Sequence, residues 1–336
     1  MLATEISIDG RRIGRGQQPY VIAEAGSNHN QSLDTARRLI DVAADSGCDA
    51  VKFQLFEAGE LYPPGHEHYE LFKSIELSPD WLQPIQRHAR GRGICFFASV
   101  FDRQSIDRMA ALDTPAFKVA SSDTTKLDLL AYIASKKKPL IISTGMCDLV
   151  DVMEAVACCT RNGNSDIALL QCAALYPTPP KDANLAAMDT MRGLFKCPVG
   201  YSDHVLGTTI AVAAAARGAA VIEKHFTLDR NSSGPDHFYA LEPNELADMV
   251  RQIRDVYAAI GDGSKELHPE ERRVGRRDGL HALKAIGAGE TFSEDNVVVR
   301  RPATGIRARH LGWVLNRPAA RVIGAGDPIQ WDDVLP

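Results

Sequence analysis

Eight short apolar runs, each followed by an amphipathic stretch, constrain this chain more than any other feature. They lie at 20–25 (YVIAEA), 50–55 (AVKFQL), 94–99 (ICFFAS), 116–121 (AFKVAS), 139–144 (PLIIST), 166–172 (DIALLQC), 198–202 (PVGYS) and 220–226 (AVIEKHF). Each has the length and apolar character of a buried strand. The stretch after the first run shows why the spacers read as helices. Leu33, Ala36, Leu39, Ile40 and Ala43 fall on one face at a 3.6 period, and Arg37, Arg38, Asp41 and Asp45 take the other. Ser32 or Asp34 can cap its start, and Gly47 can close it in the left-handed conformation. Comparable helices fit 80–91, 103–112, 126–136, 148–162, 182–193, 205–217 and 243–260. Eight strand–helix units predict an α/β fold closed into a (β/α)8 (TIM) barrel. An open doubly wound sheet has fewer strands and an early glycine-rich fingerprint, and the chain has no GxGxxG.

Both ends depart from this rhythm. Ile6–Ile8 and Arg11–Ile13 flank Asp9-Gly10, a strong signal for a tight hairpin. Residues 264–277 (SKELHPEERRVGRR) are polar and unperiodic and read as a linker. Residues 278–336 are short apolar pieces cut by Gly and Pro, a turn-rich β module near the lower size limit for independent folding. Within it IGAGE (286–290) and IGAGD (323–327) echo each other, which two matching turns or chance would explain. The expected domains are thus 1–263, a 264–277 linker and 278–336. Lys and Arg total 38 against 43 Asp and Glu. This balance gives no global field for nucleic acid, so an anionic ligand must be held by local charges. No run reaches the roughly 20 apolar residues that span a bilayer, and MLATEISIDGRR has no secretory core. Seven cysteines without a CxxC are the expected reduced thiols of a cytoplasmic protein.

A barrel gathers its chemistry at the C-terminal ends of its strands. Those ends carry Glu24, Lys52 with Gln54, Ser99, Lys118 with Ser121, Ser143, Tyr201-Ser202-Asp203-His204 and Glu223-Lys224-His225. A lysine inside an apolar strand is costly unless partnered. Two of them facing one axis, among several hydroxyls, suggest a pocket for phosphate or carboxylate. His204 and His225, ending successive late strands beside Glu24 and Asp203, suit a divalent cation with N and O ligands; unrelated core histidines are the competing account. His29, in GSNHN, is a further polar candidate. The polar stretch 228–237 (LDRNSSGPDH) suits a substrate-covering loop. Tyr176–Pro180 serves either that purpose or as a rigid exit turn.

Taken together, IAEAGSNHNQSLDTA, DAVKFQLF, FKVASSD, IISTGM, LYPTPP, GYSDH, IEKHFTLD, GPDH and RRPATGI resemble the sialic acid synthase family, in order, from about residue 18 to the end. The resemblance implies a TIM barrel followed by an antifreeze-like (SAF) β domain. It also implies a reaction: phosphoenolpyruvate and an N-acetylated aldose give a nine-carbon 2-keto-3-deoxy sugar acid and phosphate. Carried over motif by motif, His204 and His225 resemble ligands of a divalent metal, Mn2+ first, with Mg2+ or Co2+ as substitutes. Lys52, Ser99, Lys118, Ser121, Ser143 and Ser202 resemble the phosphoenolpyruvate-binding set. Glu24 resembles the catalytic carboxylate. Gln54, Tyr176 and Asp236 resemble sugar contacts. Arg301 resembles the arginine that a domain-swapped homodimer places over the partner's barrel. Two positions depart from the pattern: Asp123 stands where many relatives carry Glu, a shorter carboxylate in a proton-handling position, and Ala174 stands where a polar Asn or Ser is usual. Legionaminic, pseudaminic and spore-coat relatives share the remaining motifs, so the aldose stays open. A synthase for a phosphorylated aldose would need a second cationic cluster, and no spare strand-end Arg or Lys supplies one. A saccharide- or ice-binding protein on an inactive barrel would not retain Glu24, Lys52, Lys118, His204 and His225 together.

Overall fold

The computed structural model describes residues 2–336, and the chain divides after Gly261 into two compact units. In the first, a hairpin of β1 (Glu5–Ile8) and β2 (Arg11–Gly14) precedes eight parallel strands: β3 (Tyr20–Gly26), β4 (Ala50–Leu55), β5 (Cys95–Val100), β6 (Phe117–Val119), β7 (Leu140–Ser143), β8 (Ile167–Cys172), β9 (Val199–Asp203) and β10 (Val221–His225). They close as a barrel in sequence order, with β10 pairing β3. The hairpin turn has positive φ at both Asp9 and Gly10, the primed geometry expected of that dipeptide.

The strand period of two sorts the barrel into two environments. Val21, Ala23, Val51, Phe53, Phe96, Ala98, Phe117, Val119, Leu169 and Tyr201 point outward into the layer of helices. Tyr20, Ile22, Ala50, Cys95, Phe97, Ala116, Ile141, Leu170 and Val221 point inward. They form one cluster with Ile6, Ile8 and Ile13 of the hairpin, which plugs the N-terminal end of the barrel. The site is therefore confined to the opposite end.

The first helix, Leu33–Asp45, starts at Ser32, whose hydroxyl accepts from the Thr35 amide, and Gly47 follows it at positive φ. Two helices begin later than their periodicity suggests. The seventh runs Thr209–Ala216 because Leu206-Gly207 turn first, with Gly207 at positive φ. The sixth runs Ala187–Phe195 because Pro179 and Pro180 direct the preceding residues into a 3-10 turn. The β4 loop carries short helices, Ala58–Leu61 and Tyr69–Ser74, that the sequence reading omitted. Among the described residues no helix is long and apolar enough to cross a membrane.

In the second unit β11 (Gly279–Ala282) pairs antiparallel with β12 (Val297–Arg300) over a core of Leu280, Phe292, Ile306, Val314 and Ile329. The two glycine echoes face each other, with Ile286 and Ile323 exchanging both backbone hydrogen bonds at 2.9 Å. Each echo ends in a carboxylate that folds back on its own turn: Glu290 accepts from the Gly287 amide, and Asp327 from that of Gly324. Two matching turns, rather than chance, account for the repeat. The stretch read as an unperiodic linker contains a helix, Pro269–Val274. His268 caps it, Glu271 completes a reciprocal capping pair and Pro269 opens it. A stop and a start placed so close together leave too few residues for periodicity to register.

Candidate active site

Two residues beyond the apolar inner cluster, every barrel strand places its next inward side chain. These are Glu24, Lys52, Ser99, Lys118, Ser143, Cys172, Ser202 and Glu223. All are buried, and they form one polar layer across the barrel. One further step along β4 and β10 places Gln54 and His225, and His204 directly follows β9.

Lys52 Nζ lies 2.6 Å from Glu24 Oε2 and donates to Ser99 Oγ at 2.7 Å. Lys118 Nζ donates to Ser143 Oγ at 2.7 Å. Glu223 Oε1 sits between the lysines, 3.8 Å from Lys52 and 3.7 Å from Lys118, and accepts from Ser202 Oγ. Gln54 donates to Glu24 Oε1 at 3.3 Å. Burial pushes Glu24 up to about 7, against the pull of Lys52. Burial also works against the charge on Lys52, but Glu223 and Glu24 outweigh it and hold its ammonium above the usual range. Lys118 is lowered by burial. Glu223 is buried too, yet Lys118 and Lys52 keep it below the ordinary carboxylate range. Its Oε2 has no hydrogen-bond partner among the described residues. The layer thus holds two cations, two carboxylates and several hydroxyls in a low-dielectric space, an arrangement able to take up an anion and to move a proton at Glu24.

The histidine pair lies beside this layer, with ring centroids 5.3 Å apart. Burial lowers His204 to about 4 and His225 well below its usual value, so both are neutral. His204 Nδ1 faces the Ala173 carbonyl at 2.9 Å, which assigns its proton there and leaves Nε2 as a free lone pair. His225 Nδ1 lies 3.4 Å from Tyr239 Oη, whose own proton goes to Asp236 Oδ1 at 2.8 Å, so Nε2 is again free. Neutral imidazoles oriented through Nδ1 are suitable donors for a divalent cation. Among the described residues no group of three or more His, Cys, Asp or Glu is gathered as a cage. The remaining positions would therefore fall to water or substrate oxygens. Tyr176, half exposed, covers His204 with centroids 4.2 Å apart.

Other expected residues have different surroundings. Ser121 leaves the strand and accepts from the Gly145 amide at 3.0 Å. Asp123 is buried, with Lys126 Nζ at 2.5 Å and Ser122 Oγ at 2.7 Å, both on its own loop. Asp236 also accepts from Ser27. Arg301 is exposed in the second unit, where its Nε meets Asp278 at 3.3 Å. His29 is buried against Trp81 and Phe53. Asp203 is not beside the histidine pair. It occupies an outward position and pairs with Lys224 at 2.7 Å, because both lie one residue out of phase with the inner face. Cys172, read as one of the reduced thiols, lies in the polar layer 3.8 Å from His204 Nδ1. Glu223 and Tyr239 were not singled out for a role. Counting in twos from each strand's inner face would have found Cys172 and Glu223, whereas Tyr239 lies on a loop with no such period.

Comparison with known proteins identifies the family of the chain. The NeuB family matches residues 39–265, and the SAF domain matches 277–335. The chain is 42% identical to an uncharacterized protein of Methanocaldococcus jannaschii, over 98% of this chain and 99% of the other. It is 41% identical to the N,N'-diacetyllegionaminic acid synthase of Campylobacter jejuni, over 91% of this chain and 97% of that protein. Among solved structures, the N-acetylneuraminic acid (sialic acid) synthetase of Leptospira borgpetersenii superposes with a TM-score of 0.77 at 32% identity, covering 81% of this chain and 95% of the other. With its barrel and its C-terminal module each matched, this chain belongs to the NeuB family.

Proposed function

We propose that this protein condenses phosphoenolpyruvate with an N-acetylated aldose, N-acetylmannosamine or a 2,4-diacetamido hexose, releasing phosphate and a nine-carbon 2-keto-3-deoxy sugar acid. The observation that carries this reading is the buried pair Lys52 and Lys118, each bonded to a strand-end serine, with Glu223 between them and Glu24, raised to about 7, against Lys52. The likeness to a synthase whose named product carries two acetyl groups favours the diacetamido aldose.

In this account Lys52, Lys118, Ser99, Ser121, Ser143 and Ser202 bind the phosphate and carboxylate of phosphoenolpyruvate. His204 and His225 would hold a divalent cation, Mn2+ or a similar ion, which when bound supplies Lewis acidity toward the aldehyde oxygen. Gln54, Tyr176 and Asp236 position the open-chain sugar, so that carbon 3 of the enol attacks the aldehyde carbon. Positive character then develops at carbon 2, where water adds while Glu24 takes its proton. The tetrahedral intermediate expels phosphate, and the lysines stabilise the departing charge. Asp123 serves proton handling. Arg301 completes a partner subunit's site in a domain-swapped homodimer. The protein acts in the cytoplasm, in keeping with seven free thiols. The test is phosphate release from phosphoenolpyruvate and Mn2+ with a panel of aldoses. Release with a diacetamido hexose or N-acetylmannosamine is expected. Release only with a phosphorylated aldose, or none at all, contradicts the proposal.

A further inference from the structure

Residues 228–240 form a long connection between β10 and the helix Pro243–Ile260 without regular structure of their own. Connections of this length inside a compact unit are uncommon and usually functional. Its base is closed: the Thr227 amide bonds the Leu241 carbonyl at 2.9 Å, and the Leu241 amide bonds the His225 carbonyl at 3.0 Å. Further along, the loop carries Asp236 and Tyr239, which touch each other and, through Tyr239, His225.

Three residues of the loop, His237, Tyr239 and Ala240, are buried. His237 is 2% exposed. Its Nδ1 lies 2.6 Å from Thr227 Oγ1 at the loop base, and its Nε2 lies 3.0 Å from Asn30 Oδ1 on the loop after β3. The amide oxygen of Asn30 can only accept, so Nε2 carries the proton and Nδ1 accepts from the threonine hydroxyl. Burial lowers His237, against the opposing pull of Asp236 and Asp229. Gly234 lies against the ring at φ +146°, and a Cβ there would come within 2.8 Å of His237 Cδ2. Only glycine lets the chain pass so close with that backbone. The β3 loop receives two more ties, Ser27 to Asp236 and Asn28 Nδ2 to the Phe226 carbonyl.

We infer that His237 is a positioning residue that latches the 228–240 loop to the β3 loop and so sets where Asp236 and Tyr239 stand at the aldose side of the site. The assignment to the aldose rests on the proposed function; the latch itself rests on geometry alone. His237 touches neither the anion-binding layer nor the reacting atoms, so its loss acts through the loop.

The test compares His237→Ala, His237→Gln, Asn30→Gly and the His237→Ala/Asn30→Gly double variant in the full-length protein. Glycine at position 30 removes the acceptor while tolerating the native φ of +48°. Each of the Ala and Gly variants should raise the aldose KM roughly tenfold and leave the phosphoenolpyruvate KM unchanged. The double variant should be no worse than the more affected single, because both remove one bond. Glutamine, which keeps a donor toward Asn30, should restore most of the loss. Hydrogen exchange should quicken in residues 228–240 and not in the barrel strands. Unchanged aldose KM, additive losses, or unchanged loop exchange in both single variants would overturn the latch. If the wild type condenses no aldose, the proposed function fails, and the exchange measurement alone decides the latch by the same criterion.

Discussion

Glu24 illustrates what burial does to one side chain. In water its carboxyl would be ionised far below neutrality. Inside the barrel, desolvation raises it to about 7, and Lys52 at 2.6 Å moderates the rise. A base must be ionised to accept a proton, so kcat/KM for phosphoenolpyruvate should climb as pH rises through about 7 and level off above it. Glu24→Gln should remove that ascending limb along with most of the rate, and a full pH–rate profile of both proteins checks this. In the proposed function the lysines of the same layer hold the anion. Lys52→Ala or Lys118→Ala should therefore weaken phosphoenolpyruvate binding by about 2–5 kcal/mol, the cost of removing one partner of a buried charge, and should raise its KM more than that of the sugar. Titration calorimetry with phosphoenolpyruvate gives the answer directly, and unchanged affinity in both variants would misplace the anion pocket.

At the scale of elements, the alternation along each strand decides which polar residues meet. Asp203 and Lys224 lie out of phase with the inner face and neutralise each other in the wall between barrel and helices, with 0% and 1% of their side chains exposed. Lys224→Met should strand the Asp203 carboxylate and cost about 3–5 kcal/mol. Adding Asp203→Asn should recover most of that, and thermal unfolding of the three proteins tests both halves of the statement. The same alternation explains what was legible beforehand. Eight apolar runs with 3.6-period spacers specify a barrel, and polar residues in those runs mark its active end. The inward or outward facing of Asp203, Cys172 and Glu223 depends on where each strand begins its pairing, which residue type alone does not reveal. The Tyr239 and His237 contacts were illegible for another reason: they depend on how an irregular loop folds back, and such loops have no periodicity to read. The IGAGE and IGAGD echo was legible as a repeat, and only the backbone pairing of Ile286 with Ile323 shows that the two turns support each other.

For the whole molecule, the proposed reading makes two units cooperate across a two-fold axis, with Arg301 of one subunit serving the other's barrel. A His225→Ala subunit mixed with an Arg301→Ala subunit should then regain roughly a quarter of wild-type activity, because half the dimers are mixed and each mixed dimer holds one intact site. Verified heterodimers without activity would contradict the swapped arrangement and leave the barrel chemistry standing. That chemistry is the central claim, and the fate of one oxygen atom tests it most directly. If water adds at carbon 2 and the carbon–oxygen bond breaks, a reaction run in 18O-labelled water with Mn2+, phosphoenolpyruvate and a 2,4-diacetamido hexose should release unlabelled phosphate, and only when the aldose is present. Label in the phosphate, or phosphate released without aldose, would show hydrolysis at phosphorus and contradict the account.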